Sequence, residues 1–164
     1  MRGIPQDVGS AKQLAEQSKF MFESWFVTAL GGQPFKSSGG GDTGIDGFMY
    51  FKDNEGKNHT IILSVKGGSY NPSMVRDLKG VVERENADMG LLLALREPTD
   101  GMKKEAASAG LFNMPDTQRK YPKIQIYTVA EYFEGKRPNI PDVSATLKKA
   151  KREIRESEKA QKLL

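Results

Sequence analysis

Cysteine is absent from this 164-residue chain, which excludes a disulfide framework and any thiolate metal site. Histidine occurs once, at His59. No apolar run reaches the about 18 residues that a membrane-spanning helix needs, so no membrane span is expected. The opening Met1-Arg-Gly-Ile-Pro-Gln-Asp lacks the apolar segment of a secretory signal, and the chain is expected in the reducing cytoplasm. The glycine run at 39–41 is not followed by Gly-Lys-Ser/Thr at the proper spacing, so it is not a P-loop. No internal repeat is visible, and no helix-turn-helix or zinc finger, so any reading of base sequence or methylation needs another domain or subunit.

Bulk charge is also missing where it would be informative. The chain carries 25 Lys and Arg against 21 Asp and Glu. Residues 145–164 hold seven basic and three acidic side chains, leaving 18 of each in the remainder. The body is therefore neutral, and a nucleic-acid partner cannot be inferred from net charge. Any basic footprint there has to be local. With 37% hydrophobic and 28% charged residues, the composition is that of an ordinary globular protein, long enough for one domain with a sizeable core. We expect a body over residues 1–141 and a basic helical tail over 142–164. That tail reads either as a solvated helix or as a segment docking on DNA or a partner.

Along the body, Ser10 caps a predicted helix running to about Leu30, where Gly31-Gly32 ends it. Leu14, Met21, Trp25 and Ala29 form its apolar stripe, and Glu23 interrupts an aromatic run. A carboxylate there either faces solvent or is aimed at something. Residues 33–44 form a loop rich in Gly, Ser and Lys. It is either a flexible connector or a place where Lys36, Ser37 and Ser38 offer donors to a phosphate backbone.

Two strands follow, 46–52 and 59–66, joined by the turn residues Asp53-Asn-Glu-Gly-Lys. A turn centred on Gly56 sets Asp46 opposite Lys66 and Phe48 opposite Ser64. Asp46, Phe48, Tyr50, Ile62, Ser64 and Lys66 then share one face, while Met49, Phe51, Ile61, Leu63 and Val65 share the apolar other. His59, opposite Asp53 at the closed end, reads as a surface residue. Beyond the hairpin, the pattern predicts a helix over about 71–86, a strand buried on both faces at 89–95, a helix over about 100–109, a strand at 124–128 and a short helix at 129–134. That order is an α/β sandwich around a mixed sheet, antiparallel at the hairpin and parallel beyond it.

The hairpin's open end gathers an acid, a hydroxyl and a lysine. Hydrolysis of a phosphodiester needs a divalent cation on the phosphate, an activated water and positive charge for the transition state. Mg²⁺ or Mn²⁺ would take oxygen ligands, which Asp46, Glu23 and the Val65 carbonyl could supply, with Lys66 beside the phosphate. A cross-strand Asp46–Lys66 ion pair without catalytic duty explains the same residues.

The combination of Phe22-Glu23, Asp42-Thr-Gly-Ile-Asp-Gly47 and Ser64-Val-Lys66 resembles the PD-(D/E)xK nuclease superfamily, especially its Mrr-like restriction endonuclease branch. The segment beginning at Arg76 is similar to the helix that follows the motif in nuclease domains attached to some bacterial DNA methyltransferases. The resemblance spans about residues 14–135. It implies a restriction-endonuclease-like three-layer sandwich, with a central mixed sheet flanked by helices, acting as a metal-dependent DNA endonuclease. Asp46 would be a metal ligand, Lys66 the catalytic lysine and Glu23 an accessory acid. The implied partners are DNA, a second copy in a homodimer, and a methyltransferase or specificity partner. Tyr70, Arg76 and Lys79 would stand where DNA could be met, although a structural role for Tyr70 and a solvated face for the other two fit equally. Ser64 departs from the motif, which has Glu or Gln there. A hydroxyl is a poor Mg²⁺ ligand beside a carboxylate, so the resemblance leaves open a fold that binds DNA and has lost cleavage.

Overall fold

The computed structural model describes residues 4–36, 43–115 and 117–142. The positions of Ser37, Ser38 and Asp42, and the basic tail from 143 onward, lie outside the described residues.

The first predicted helix is two. Asp7, not Ser10, is the N-cap of α1 (Val8–Gln17), and Ser10 sits at the third helical position closing a capping box. Ser18 is extended (φ −157°), ends α1 and caps α2 (Lys19–Ala29) by accepting from the Met21 N–H. Serine suits this break because its hydroxyl satisfies one of the donors a helix start leaves unpaired. The break changes the helical phase. Phe22, Phe26 and Val27 point into the core, whereas Met21 of the expected stripe is 54% exposed.

A two-residue edge strand, β1 (Gln33–Pro34), leads to the hairpin β2 (Gly47–Lys52) and β3 (Asn58–Lys66). β3 pairs antiparallel with β2 and parallel with β4 (Met89–Ala94), and β4 pairs parallel with β7 (Ile124–Thr128). The sheet order is β1-β2-β3-β4-β7. The connections carry α3 (Ser73–Arg84), α4 (Asp100–Ser108) and a separate small hairpin, β5 (Leu111–Asn113) with β6 (Lys120–Pro122), that sequence periodicity did not reveal. α5 (Val129–Phe133) follows β7 through a Thr128–Glu131 capping box.

Helices cover both faces. Met49, Phe51, Ile61, Leu63 and Val65 pack with Phe22 and Phe26 of α2 and residues of α1 and α5. Ile62, Leu92 and Ile124 pack under Val75, Leu78 and Val82 of α3 and Met102 of α4. Burial of each large apolar side chain contributes about 1.5–3 kcal/mol, and all six residues of β4 are buried. The result is the expected three-layer α/β sandwich. Gly47 lets α2 and β1 approach the hairpin: a Cβ there would lie 2.6 Å from Val27 Cγ1 and 2.9 Å from the Gln33 carbonyl oxygen.

The hairpin register differs from the expected one by two residues. Phe48 faces Ile62 and Phe51 faces His59. A shift of two preserves which residues share a face, so the apolar surface is as expected while the partners at the open end are not. Its cause is at the closed end. Asp53 donates its N–H to the Lys57 carbonyl at 3.0 Å and does not face His59, while its carboxylate accepts from the Glu55 and Lys57 N–H groups and builds the turn.

His59 is therefore not a surface residue. It is 5% exposed, stacked on Phe51 at 4.9 Å and edge-on to Phe112 at 5.5 Å. Nε2 meets Asp53 Oδ2 at 2.8 Å and Nδ1 meets Asp88 Oδ2 at 3.1 Å. Asp88 also accepts from the Thr60 N–H. The ring thus ties the hairpin turn to the start of β4. The His59 hydrogen bond, then the Lys57 and Glu55 N–H groups, hold the Asp53 carboxyl below the usual aspartate value against the opposing effect of burial.

Leaving a buried polar group without its hydrogen-bond partner costs about 1–3 kcal/mol. His59→Ala is expected to lower unfolding free energy by roughly 2 kcal/mol in urea titrations. Because Asp53 is lowered in the folded state, its contribution is full above the ordinary aspartate pKa and is lost as pH falls through the lowered value. The His59→Ala protein should therefore show a weaker loss of stability over that acid window than the wild type.

Candidate functional site

The β2–β3 ladder ends at the bond from the Asp46 N–H to the Leu63 carbonyl, 2.8 Å. The chain before it turns away through Gly44, at φ +76°. The next donor along β3 toward β2 is the Val65 N–H, and the Asp46 carboxylate takes it at 2.7 Å. Asp46 is thus held from both sides, since its own carbonyl accepts from the Phe35 N–H at 3.0 Å. With the register shifted, Asp46 stands beside Ser64 and Val65 and is not opposite Lys66.

A cleft of about 590 Å³ opens at this end of the sheet, and Asp46, Val65, Lys66 and Glu23 all line it. Glu23 reaches this cleft from α2; its side chain is 20% exposed and lies 3.8 Å from Lys19. Lys36 also lines the cleft, with its ammonium 5.0 Å from the centre of the Phe20 ring. Lys19, Phe20 and Phe35 complete a wall that the motifs did not point to. The available sequence signals were the i,i+4 spacing of Lys19 to Glu23 and the Phe35-Lys36 pair.

Other expected residues go elsewhere. Ser64 is 3% exposed and is not part of the cleft lining. Arg76 bonds Glu105 of α4 at 3.3 Å, and neither Arg76 nor Lys79 lines the cleft. Tyr70 has a structural role: its hydroxyl donates to the Lys66 carbonyl at 2.7 Å and accepts from the Arg96 N–H at 3.0 Å. It bridges the ends of β3 and β4 and so positions Lys66. Burial pushes the Tyr70 hydroxyl above its usual pKa, with the Arg96 N–H opposing, which keeps the donor protonated.

The donor set does not suit a resident divalent cation. Two carboxylates, Asp46 and Glu23, share the cleft with three ammonium groups, Lys19, Lys36 and Lys66, so the local charge favours an anion. One Asp46 oxygen is committed to a backbone N–H, and the position that would add a third acid is the buried Ser64. Among the described residues no group of three His, Cys, Asp or Glu side chains could hold a metal ion. Lysine ammoniums and backbone donors around a concave site are the chemistry that holds a phosphate.

A mixed sheet carrying this Asp-to-Lys corner on its central hairpin, with helices on both faces, defines a restriction-endonuclease-like domain. The family described as NACHT-associated inactive Restriction Endonuclease 1 matches residues 17–134, and the chain belongs to that family. Among solved structures, the MspJI restriction endonuclease in complex with a 27-mer oligonucleotide is similar at a TM-score of 0.48 and 14% identity. The similarity covers 85% of this chain and 33% of that one, so this chain spans about a third of its length. No curated protein matches. No helix among the described residues is long and apolar enough to cross a membrane.

Leaving a buried donor without its acceptor costs about 1–3 kcal/mol. Asp46→Ala is therefore expected to destabilise the fold by that amount, and Tyr70→Phe by about 1 kcal/mol. Hydrogen exchange should localise the first to the Val65 amide and the second to the Arg96 amide.

Proposed function

We propose that the chain is a non-cleaving DNA-binding module that uses the cleft between α2 and the β2–β3 corner. The observation that carries this is the cleft's charge: three lysines against two carboxylates, with a hydroxyl in place of the third acid and turned into the core. Lys36 and Lys66 would take phosphate oxygens, and Asp46, bonded to the Val65 N–H, would act as the residue that shapes the corner. The family's description as inactive supports the same reading. The Gly44-Ile-Asp-Gly47 turn and the Val65-Lys66 strand end support a relation to the Mrr-like branch of the wider superfamily. The family's NACHT association suggests a NACHT domain as companion, in place of the methyltransferase or specificity partner that the motifs imply. Binding by one cleft needs no homodimer, since the pairing argument rests on cutting two strands.

Three outcomes are expected. Plasmid and linear duplex should stay intact in Mg²⁺ or Mn²⁺. DNA binding should survive chelation by EDTA, because no metal bridges protein and phosphate. Lys66→Ala should weaken binding and reduce the slope of log affinity against log salt by about one. Metal-dependent cutting that Asp46→Ala and Lys66→Ala abolish would show an active nuclease instead. Absence of DNA binding at low salt would overturn the module itself.

A further inference from the structure

The sheet face that carries Asp46 and Lys66 is covered by α3 and α4 over β3, β4 and β7. Toward β2 and β1 the cover ends, and the side chains there are aromatic. Phe35 and Tyr50 are each 39% exposed. Phe35 meets Phe48 edge-on, with centroids 5.3 Å apart at 78°, and Phe48 and Tyr50 lie near-parallel at 6.1 Å and 16°. Because Gln33 faces Phe48 and Pro34 faces Gly47, Phe35 stands beside Asp46 on this same face. Three rings therefore form a continuous row that starts in the cleft, where Phe35 is part of the lining, and runs out along the edge of the sheet.

An edge strand with exposed rings is a liability unless something covers it. Lysines stand at the row's inner end, where Lys36 and Lys66 line the cleft with Phe35, and Lys52 follows Tyr50 by two residues at the outer end. The ring centroids stand 5.3 Å and 6.1 Å apart, well beyond the ~3.4 Å rise per nucleotide of a duplex strand. Such a row suits unpaired bases that have separated from one another, and it does not suit the continuous stack of a double helix. Aromatic side chains beside a basic groove are the means by which single strands are held without reading sequence.

We propose that Phe35, Phe48 and Tyr50 form a stacking platform for unpaired bases of a single DNA strand, whose phosphates are held at the cleft by Lys36 and Lys66. This rests on the reading of the cleft as a DNA site and adds the form of DNA it takes.

The test is fluorescence anisotropy with a labelled oligothymidylate of about 12 nucleotides, within the ~4–16-nucleotide footprints of comparable single-strand sites, and with a blunt duplex of equal length at the same salt. The proteins are the wild type, Phe35→Ala, Tyr50→Ala and Tyr50→Phe, with Leu111→Ala as an exposed control away from the row. The expected result is single-strand binding about tenfold tighter than duplex. Phe35→Ala and Tyr50→Ala should each remove most of that preference, and Tyr50→Ala, outside the cleft lining, should leave duplex affinity unchanged. Tyr50→Phe, which keeps the ring, should retain it, and Leu111→Ala should have no effect. Circular dichroism of each variant separates lost binding from lost fold. Equal affinity for both probes, unmoved by the aromatic substitutions, would overturn the platform and leave the cleft as a duplex site. Failure to bind either probe at low salt would overturn the platform together with the DNA reading, and would assign the row to a protein partner.

Discussion

β3 hydrogen-bonds antiparallel to β2 on one edge and parallel to β4 on the other, and helices cover it on both faces. Among the described residues no other strand carries both pairings, so its register sets that of β2 and β4. Its outer end runs past the last ladder bond to β2, and a strand end that outlasts its partner exposes a backbone donor. The Asp46 carboxylate accepts that donor. The corner of the molecule that looks most like a catalytic site is thus also a backbone repair, and the same acid would be needed whether or not chemistry takes place there.

This double use gives the cleft residues structural duties that hold with or without nuclease chemistry. Asp46 closes the ladder, Gly47 gives α2 and β1 room, and Tyr70 ties the ends of β3 and β4 through the Lys66 carbonyl and the Arg96 N–H. Each of these holds the fold. Ser64, at the motif position that carries Glu or Gln in the resembling nucleases, has no carboxylate. In the non-cleaving reading proposed above, phosphate binding would depend on the lysines and not on an acid at that position.

A second constraint lies at the opposite end of the hairpin. Asp53 leaves the ladder to build the turn, His59 bridges it to Asp88, and the Phe51 and Phe112 rings shut water out. Burial of a charged network is costly unless every member is bonded, and among the described residues no buried side-chain nitrogen or oxygen is left without a partner. The network locks the register at one end while Asp46 locks it at the other.

The amino-acid sequence by itself determined the strand and helix order from Gly47 to Phe133 apart from β5 and β6, the two faces of the hairpin, the fully buried β4 and the company of Asp46, Val65 and Lys66. Those follow from period-two and period-3.6 patterning and from turn residues, which are local. Only the tertiary structure decided the rest. The break at Ser18 turned on one extended residue within a continuous helical pattern. The burial of His59 depended on Asp88, 29 residues away and just before β4, and the two-residue register shift on how the Asp53 carboxylate builds the turn. β5 and β6 are too short to show a period. Glu23 and the lysines meet at the cleft, and Arg76 does not, because helix packing over the sheet selects which charges converge. That selection depends on contacts between elements, which neither spacing nor propensity encodes.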